Sequence, residues 1–215
     1  GDELPDGLEL KAATVSRLLA RHGLNGKPAA ESGTSKDRRR FSYEKAGELW
    51  MSDVMHGPRV VDEHGRKRKT YLISLLDDAT RVVPYAAFTF SENTAALLPV
   101  LEQAVRRRGI PKRLYVDNGS AFRSKHLALT CARLSVTLIH ARPYQPQGKG
   151  KKERFFRTVR MQLLPTLTED DLKSLSALNR RLWGWIEGEY HHTPHRGLGG
   201  DTPLDRWAMS SDEVR

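Results

Sequence analysis

The sequence predicts an α/β fold, and three observations carry that expectation. Residues 48–90 contain three successive runs rich in β-branched and aromatic residues, separated by turn chemistry. The apolar spacing then switches to that of a helix over residues 93–108. Two further short apolar runs, Leu114–Asp117 and Val136–His140, alternate with helical patterns, so the order reads βββαβαβ. With 215 residues, 38% of them hydrophobic, the chain has material for a real core and one to two domains.

Ahead of these elements, residues 8–23 place Val15, Leu18 and Leu19 at helical spacing, with Gly23 where a helix would stop. A lone helix of this length is marginal without partners, so residues 1–24 are expected to be the terminal helix of an N-terminal helix-turn-helix DNA-binding region. Residues 25–40 mix Gly, Pro, Ala and Ser with a closing Lys36-Asp37-Arg38-Arg39-Arg40 and read as a linker. The first strand comes from Glu48 to Met55, the second from Thr70 to Leu76 and the third from Val82 to Phe90. Pro84 cannot donate to a ladder, which favours an edge position or a bulge for the third. Leu97, Leu98, Val100, Leu101 and Val105 form the stripe of the first core helix, capped by Asn93 or Thr94 and ended by Gly109. Lys125–Leu134 is a second helix. Arg142–Gln147 is extended and proline-bearing; Lys151–Leu164 then carries Phe155, Phe156, Val159, Leu163 and Leu164 at helical spacing and stops at Pro165. Asp170–Tyr190 reads as one helix burying Leu172, Leu175, Leu178, Leu182, Trp185 and Ile186, and the tail after it is turn-rich.

The formal net charge is +10 and is unevenly placed: residues 1–40 carry +2, residues 41–165 carry +11 and residues 166–215 carry −3. An excess confined to one segment points to a polyanion-facing surface, nucleic acid first and anionic membrane second. Cys131 is the single cysteine, which excludes an internal disulfide and a Cys-pair zinc site and makes a reducing, cytoplasmic compartment the expectation. No run approaches the roughly 18 apolar residues of a spanning helix. The start, Gly1-Asp2-Glu3-Leu4-Pro5-Asp6, lacks the layout of a signal peptide, so membrane spanning and export are not expected.

Three acidic residues occupy special places on this skeleton: Asp53 in the first strand, Asp117 at the end of the fourth and Glu153 near the start of the basic helix. An Asp that interrupts an apolar strand is costly unless it pairs with a cation or a metal. For either Asp alone, an Arg partner or a turn-capping role is the commoner explanation than a metal. Taken together in a basic segment, they suggest a divalent-metal site, because hard cations prefer carboxylate oxygens converging from separate elements.

These residues sit in recognisable fragments: Trp50-x-x-Asp53, Tyr115-Val116-Asp117-Asn118-Gly119-Ser120-x-Phe122, and Pro143-Tyr144-x-Pro146-x-Gly148-x-Gly150-Lys151-x-Glu153-Arg154-Phe155-Phe156-Arg157-Thr158-Val159-Arg160. Together they resemble the D,D-35-E catalytic core of bacterial insertion-sequence transposases related to retroviral integrases; 35 residues separate Asp117 from Glu153. The tail from Tyr190 through His195-Arg196 and Leu198-Gly199-Gly200 to Thr202-Pro203-Leu204 and Trp207 resembles the segment that ends such cores. The resemblance implies an RNase H-like fold, a mixed five-stranded sheet flanked by helices, over residues 41–165, with residues 166–215 as its C-terminal helical extension. It implies metal-dependent 3′-end nicking and strand transfer without a covalent protein–DNA intermediate. Asp53, Asp117 and Glu153 would be the catalytic residues and would hold two Mg²⁺ or Mn²⁺ ions. The implied partners are transposon-end and target DNA, further copies of the chain and other transposition proteins, in a bacterial cytoplasm at the nucleoid. The short segment before the core suggests a fragment of a longer protein. The alternatives are a catalytically inactive DNA-binding or multimerisation module on the same fold, or an RNase H-like nuclease.

Arg142, Lys149, Lys151, Lys152, Arg154, Arg157 and Arg160 are the expected DNA contacts, with Glu153 the one acid among them. On a helix, Lys149, Lys152, Glu153, Arg157 and Arg160 are expected on one side, opposite Phe155, Phe156 and Val159; the bland alternative is a Glu153–Arg157 surface pair at i,i+4. Asn118-Gly119 is expected to turn tightly and aim Asp117. Arg66–Lys69 serves either DNA contact or protection of a sheet edge, and Arg106-Arg107-Arg108 suits a helix C-terminus. His191, His192 and His195 make an incomplete metal set and fit capping or packing better; Trp183, Trp185 and Trp207 are core anchors.

Overall fold

A computed structural model of the chain describes residues 43–141 and 149–210. The expected helix at 8–23, the linker at 25–40 and the extended segment at 142–147 lie outside the described residues.

Strands β1 (Trp50–Val61), β2 (Lys67–Asp77), β3 (Ala86–Thr89), β4 (Arg113–Val116) and β5 (Thr137–His140) form one sheet in the order β3-β2-β1-β4-β5. The first three pair antiparallel, while β4 pairs parallel with β1 and β5 parallel with β4. β3 is an edge strand, one of the two placements Pro84 favours, and is shorter than its apolar run, with Pro84 itself outside it. Val82 is used instead to close a turn, its carbonyl accepting from the Asp77 N–H at 2.8 Å. In β1 the register slips between His56 and Arg59. Gly57 occupies the slip, where a Cβ would lie 2.5 Å from Thr70 Oγ1 and 2.6 Å from the Phe88 ring.

Helix α1 (Thr94–Arg108) starts on the Asn93 side chain, which accepts from the Ala96 N–H, and ends on Gly109 at φ +80°. Helix α2 (Lys125–Arg133) is capped by Ser124 in the same way. Helix α3 (Lys149–Thr158) does not run unbroken to Leu164: it widens into a π turn at Val159–Leu163 and tightens into a 3-10 turn at Leu164–Thr166. The expected single helix over 170–190 is two, α4 (Glu169–Leu172) and α5 (Leu175–Gly188). Two competing caps cause the break: Thr168 and Asp171 form a reciprocal capping box, and Ser174 accepts from the Ala177 N–H to start a second helix. The tail contains a further helix, α6 (Pro203–Ser210), whose Thr202 hydroxyl accepts from the Asp205 N–H at 3.1 Å.

Helices cover both faces of the sheet. Met51, Met55, Leu72 and Leu76 pack with Phe155, Phe156, Val159 and Leu163 after α3's start and with Leu178, Leu182, Trp185 and Ile186 of α5. Trp50, Ile73, Leu75, Leu114 and Val116 pack on the other face with Leu97, Val100 and Leu101 of α1 and with Leu127 and Cys131 of α2. Alternation along β1 thus sends Met51 and Met55 to one face and Trp50 to the other, and Asp53 shares the face of Met51 and Met55.

Candidate active site

β1 and β4 run parallel with Trp50 opposite Leu114 and Met51 opposite Tyr115. Carried two residues further, the same register sets Asp53 opposite Asp117, where neighbouring parallel strands lie about 4.8 Å apart. Tyr115 packs on the same face as Met51, so both carboxylates leave the sheet on the side covered by α3 and α5. Each is half-buried and each spends one oxygen locally: Asp53 Oδ1 accepts the Val54 N–H at 2.9 Å and Asp117 Oδ1 accepts the Gly119 N–H at 2.8 Å. A Cβ on Gly119 would come within 2.9 Å of that Asp117 oxygen, so the glycine permits the turn that aims the side chain. Asn118 anchors the turn from the other side by donating to the Ala141 carbonyl at 2.6 Å.

The cation beside this pair is Lys152. Only 4% exposed, its ammonium makes no hydrogen bond among the described residues. Burial pulls its pKa down to about 7, against the opposing attraction of Asp53 and Asp117. This corrects the expected helix faces. Lys152 precedes Phe155 by three positions and Phe156 by four, so it continues their buried stripe, while Glu153 is exposed on the next face round. Among the described residues no three His, Cys, Asp or Glu side chains are gathered to hold a metal. Asp53 in β1 and Asp117 just past β4 both act on Lys152, and Glu153 is the next residue of α3, on its exposed side.

Of the other cations expected at DNA, Lys151 is also inward: its Nζ lies 2.6 Å from Asp78 Oδ1, in a pair whose carboxylate is fully enclosed. Arg154, Arg157 and Arg160 are exposed. Arg142 lies outside the described residues, and so does the side chain of Lys149. The Arg106–Arg108 run is engaged within the protein: Arg106 pairs with Glu102 at 2.8 Å, Arg107 stacks over Trp183 and Tyr85, and Arg108 lies over Trp207. His191 is a packing histidine, as expected, with Nε2 accepting the Val83 N–H at 3.0 Å.

The reading of the sequence passes over Asp77-Asp78-Ala79-Thr80-Arg81 as a turn, yet all but Ala79 are buried. Asp77 accepts from the Gly47 N–H at 2.8 Å and from the Thr80 N–H and hydroxyl at 2.9 and 2.8 Å; burial raises its pKa. Asp78 accepts from the Tyr43 N–H at 2.9 Å as well as from Lys151. The signal available was Asp followed three residues later by Thr, an Asx-turn pattern.

A mixed sheet with two antiparallel neighbours on one side, two parallel strands on the other and helices on both faces has the RNase H-like fold. Sequence comparison agrees: the integrase core domain family matches residues 44–146, and a second profile of the same description matches residues 134–203. Together the two profiles span residues 44–203, and over that stretch the chain is similar to the integrase core domain family. It is 27% identical over 184 residues to the transposase for transposon Tn552 of Staphylococcus aureus, covering 76% of this chain and 38% of that protein. It is also 27% identical over 169 residues to the Gag-Pro-Pol polyprotein of bovine leukemia virus, 72% of this chain and 11% of that one. This chain thus spans well under half the length of these relatives. In fold it is similar to the HTLV-2 integrase catalytic core domain solved in complex with magnesium, with a TM-score of 0.55 at 20% identity over 79% of this chain and 99% of that one. No helix among the described residues is long and apolar enough to cross a membrane.

Proposed function

We propose that this chain is the catalytic core of a DNA transposase or integrase, a metal-dependent polynucleotidyl transferase that nicks 3′ ends and joins them to target DNA. The observation that carries this reading is the parallel β1–β4 register, Trp50 opposite Leu114 and Met51 opposite Tyr115, which continued by two residues sets Asp53 beside Asp117. The donor set fits Mg²⁺ or Mn²⁺ through its two half-buried carboxylates, each with one oxygen committed to a backbone N–H. Asp53, Asp117 and Glu153 are the proposed ligands of two ions. Bound there, divalent ions supply charge stabilisation for the attacking and leaving oxygens of an in-line phosphoryl displacement.

The chain's own groups position the reaction. Gly119 holds Asp117 at the sheet end, and the Asp78–Lys151 pair ties the first turn of α3, and with it Glu153, to the β2–β3 turn. Arg154, Arg157 and Arg160 present the exposed cations for DNA phosphates. Transposon-end and target DNA, further copies of the chain and a nucleoid location follow from this reading.

The test is Asp117→Asn in the full chain, assayed for Mn²⁺- or Mg²⁺-dependent nicking of a plasmid and joining of a labelled 3′-hydroxyl oligonucleotide. Activity is expected to fall to background with the fold intact by circular dichroism. Survival of strand cleavage in the variant overturns the assignment and favours a DNA-binding module.

A further inference from the structure

The β1–β2 hairpin outruns the rest of the sheet. β4 pairs with β1 only at Trp50 and Met51, and β3 pairs with β2 only over 71–74, whereas β1 and β2 stay paired as far as Val61 and Lys67. Beyond the His56–Tyr71 pair the hairpin is therefore a two-stranded ribbon. The slip at Gly57 and Pro58 sets its faces. Strict alternation would return Arg59 to the side of Met55; the extra residue instead puts Arg59 opposite Lys69 and Val60 opposite Arg68. Val60, 1% exposed, packs in the core with Met55, so Arg59 and Lys69 stand on the other face, together with the His56–Tyr71 and Val61–Lys67 pairs.

That arrangement divides the Arg66–Lys69 run. Arg66 belongs to the turn, where it pairs with Asp62 at 3.2 Å, and Arg68 lies on the core face over the Phe90 ring at 4.6 Å. Lys67 and Lys69 are left beside Arg59, all three exposed and without an ion pair among the described residues. No acid shares their face: Asp62 is committed to the turn, accepting from the His64 and Arg66 N–H groups at 3.0 and 2.9 Å, and Glu63 lies in the turn itself. Arg59 and Lys69 stand directly across the ladder, a like-charge pairing that weakens a sheet, with Lys67 on the diagonal about 7–8 Å away. Next to them the His56 and Tyr71 rings meet at 5.3 Å. A polyanion removes the repulsion, and cations beside aromatic rings on a two-stranded ribbon suit a nucleic acid.

We propose that Arg59, Lys67 and Lys69 form a second DNA-binding surface, which grips the phosphate backbone of duplex DNA on the sheet face away from Asp53. The inference rests on the reading of the chain as a transposase or integrase core and adds a contact outside the basic helix α3. Arg59 follows Asp53 by six residues, about 20 Å of extended strand, so the ribbon meets DNA flanking the reacting phosphate rather than that phosphate. Guarding an open sheet edge takes a charge of either sign, whereas three cations and no acid on one face suit an anion.

The test is fluorescence anisotropy of a labelled 20-base-pair duplex across a salt series, with the full chain as wild type, Lys69→Glu, Lys67→Gln and the remote Lys173→Gln. Lys69→Glu sets a carboxylate opposite Arg59, so the free protein is expected to melt at or above the wild-type temperature. Its DNA affinity is expected to fall roughly tenfold near 0.1 M salt, with the slope of log K against log salt shallower by about one contact. Lys67→Gln, opposite the uncharged Val61, should weaken binding in the same direction, and Lys173→Gln should not. If Lys69→Glu melts lower than wild type, Lys67→Gln decides, because it leaves the residue opposite Arg59 untouched. Wild-type affinity and salt slope in the ribbon variants overturn the proposal and leave the ribbon as a guarded edge, since glutamate guards an edge as lysine does. An equal loss in Lys173→Gln also overturns it, because net charge alone then accounts for binding. Strand cleavage by Asp117→Asn instead overturns the strand-transfer reading, whatever the ribbon variants do.

Discussion

A buried ionisable group must find a partner, stay neutral or shift its equilibrium, and two residues show different outcomes. His191 is fully enclosed and stays neutral: Nε2 accepts the Val83 N–H, which puts the ring proton on Nδ1, 3.1 Å from Glu187 Oε2. Burial holds its pKa below the ordinary value. As the pH falls through about 6.5 the unfolded chain takes up a proton that native His191 refuses, so stability is lost on acidification until the depressed native pKa is reached. Denaturant unfolding should therefore show a lower midpoint at pH 5.5 than at pH 7.5, and His191→Gln should flatten that difference. Lys152 instead keeps company with Asp53 and Asp117 without a hydrogen bond. A divalent ion at the Asp pair must work against that ammonium, so Lys152→Met is expected to bind Mn²⁺ more tightly than wild type. A repulsion of about 1.4 kcal/mol would make the gain tenfold by isothermal titration; equal or weaker binding would mean that Lys152 lies apart from the metal site.

Single contacts govern how the elements are placed. The slip in β1 exists because Gly57 leaves room for the Thr70 hydroxyl, which donates to the Pro58 carbonyl at 2.7 Å, and for the Phe88 ring. Gly57→Ala would force both aside and should cost about 1–3 kcal/mol, read from the shift in a urea midpoint. Helix α3 is fixed to the β2–β3 turn by Asp78 and Lys151, whose side chains are 2% and 18% exposed. Removing the carboxylate charge of so enclosed a pair weakens a charge-assisted hydrogen bond, so Asp78→Asn should destabilise by about 1.5–3 kcal/mol. Hydrogen exchange should then accelerate in α3 before it does in α1. The helices α4 and α5 teach a related lesson: Thr168, Asp171 and Ser174 are all good caps, and the run of leucines through 172–182 hides the break they make.

At the scale of the whole molecule, the proposed function rests on the sheet order. β4 returns beside β1 after a helix and pairs with it in parallel, which aligns two carboxylates 64 positions apart in the chain. Metal binding to the native state alone should stabilise the protein, by ~2.7 kcal/mol at one hundred times the dissociation constant. Thermal unfolding should register that gain with Mn²⁺ in wild type and lose it in Asp53→Ala.

The sequence by itself determined most of the elements, the Gly109 end of α1 and the two strand aspartates, because period, turn chemistry and capping are local properties of the chain, while it left β3 as edge or bulge and the α1 cap as Asn93 or Thr94. It also carried the place of Lys152, three and four residues before Phe155 and Phe156, but a lysine's charge argued for solvent and concealed the stripe. Only the tertiary structure decided that β4 pairs with β1, which puts Asp53 and Asp117 on neighbouring strands, that Lys152 is buried near both, and that Lys151 turns inward to Asp78. Those outcomes depend on which strand inserts beside β1 and how α3 is rotated on the sheet, and both are set by packing between residues far apart in sequence.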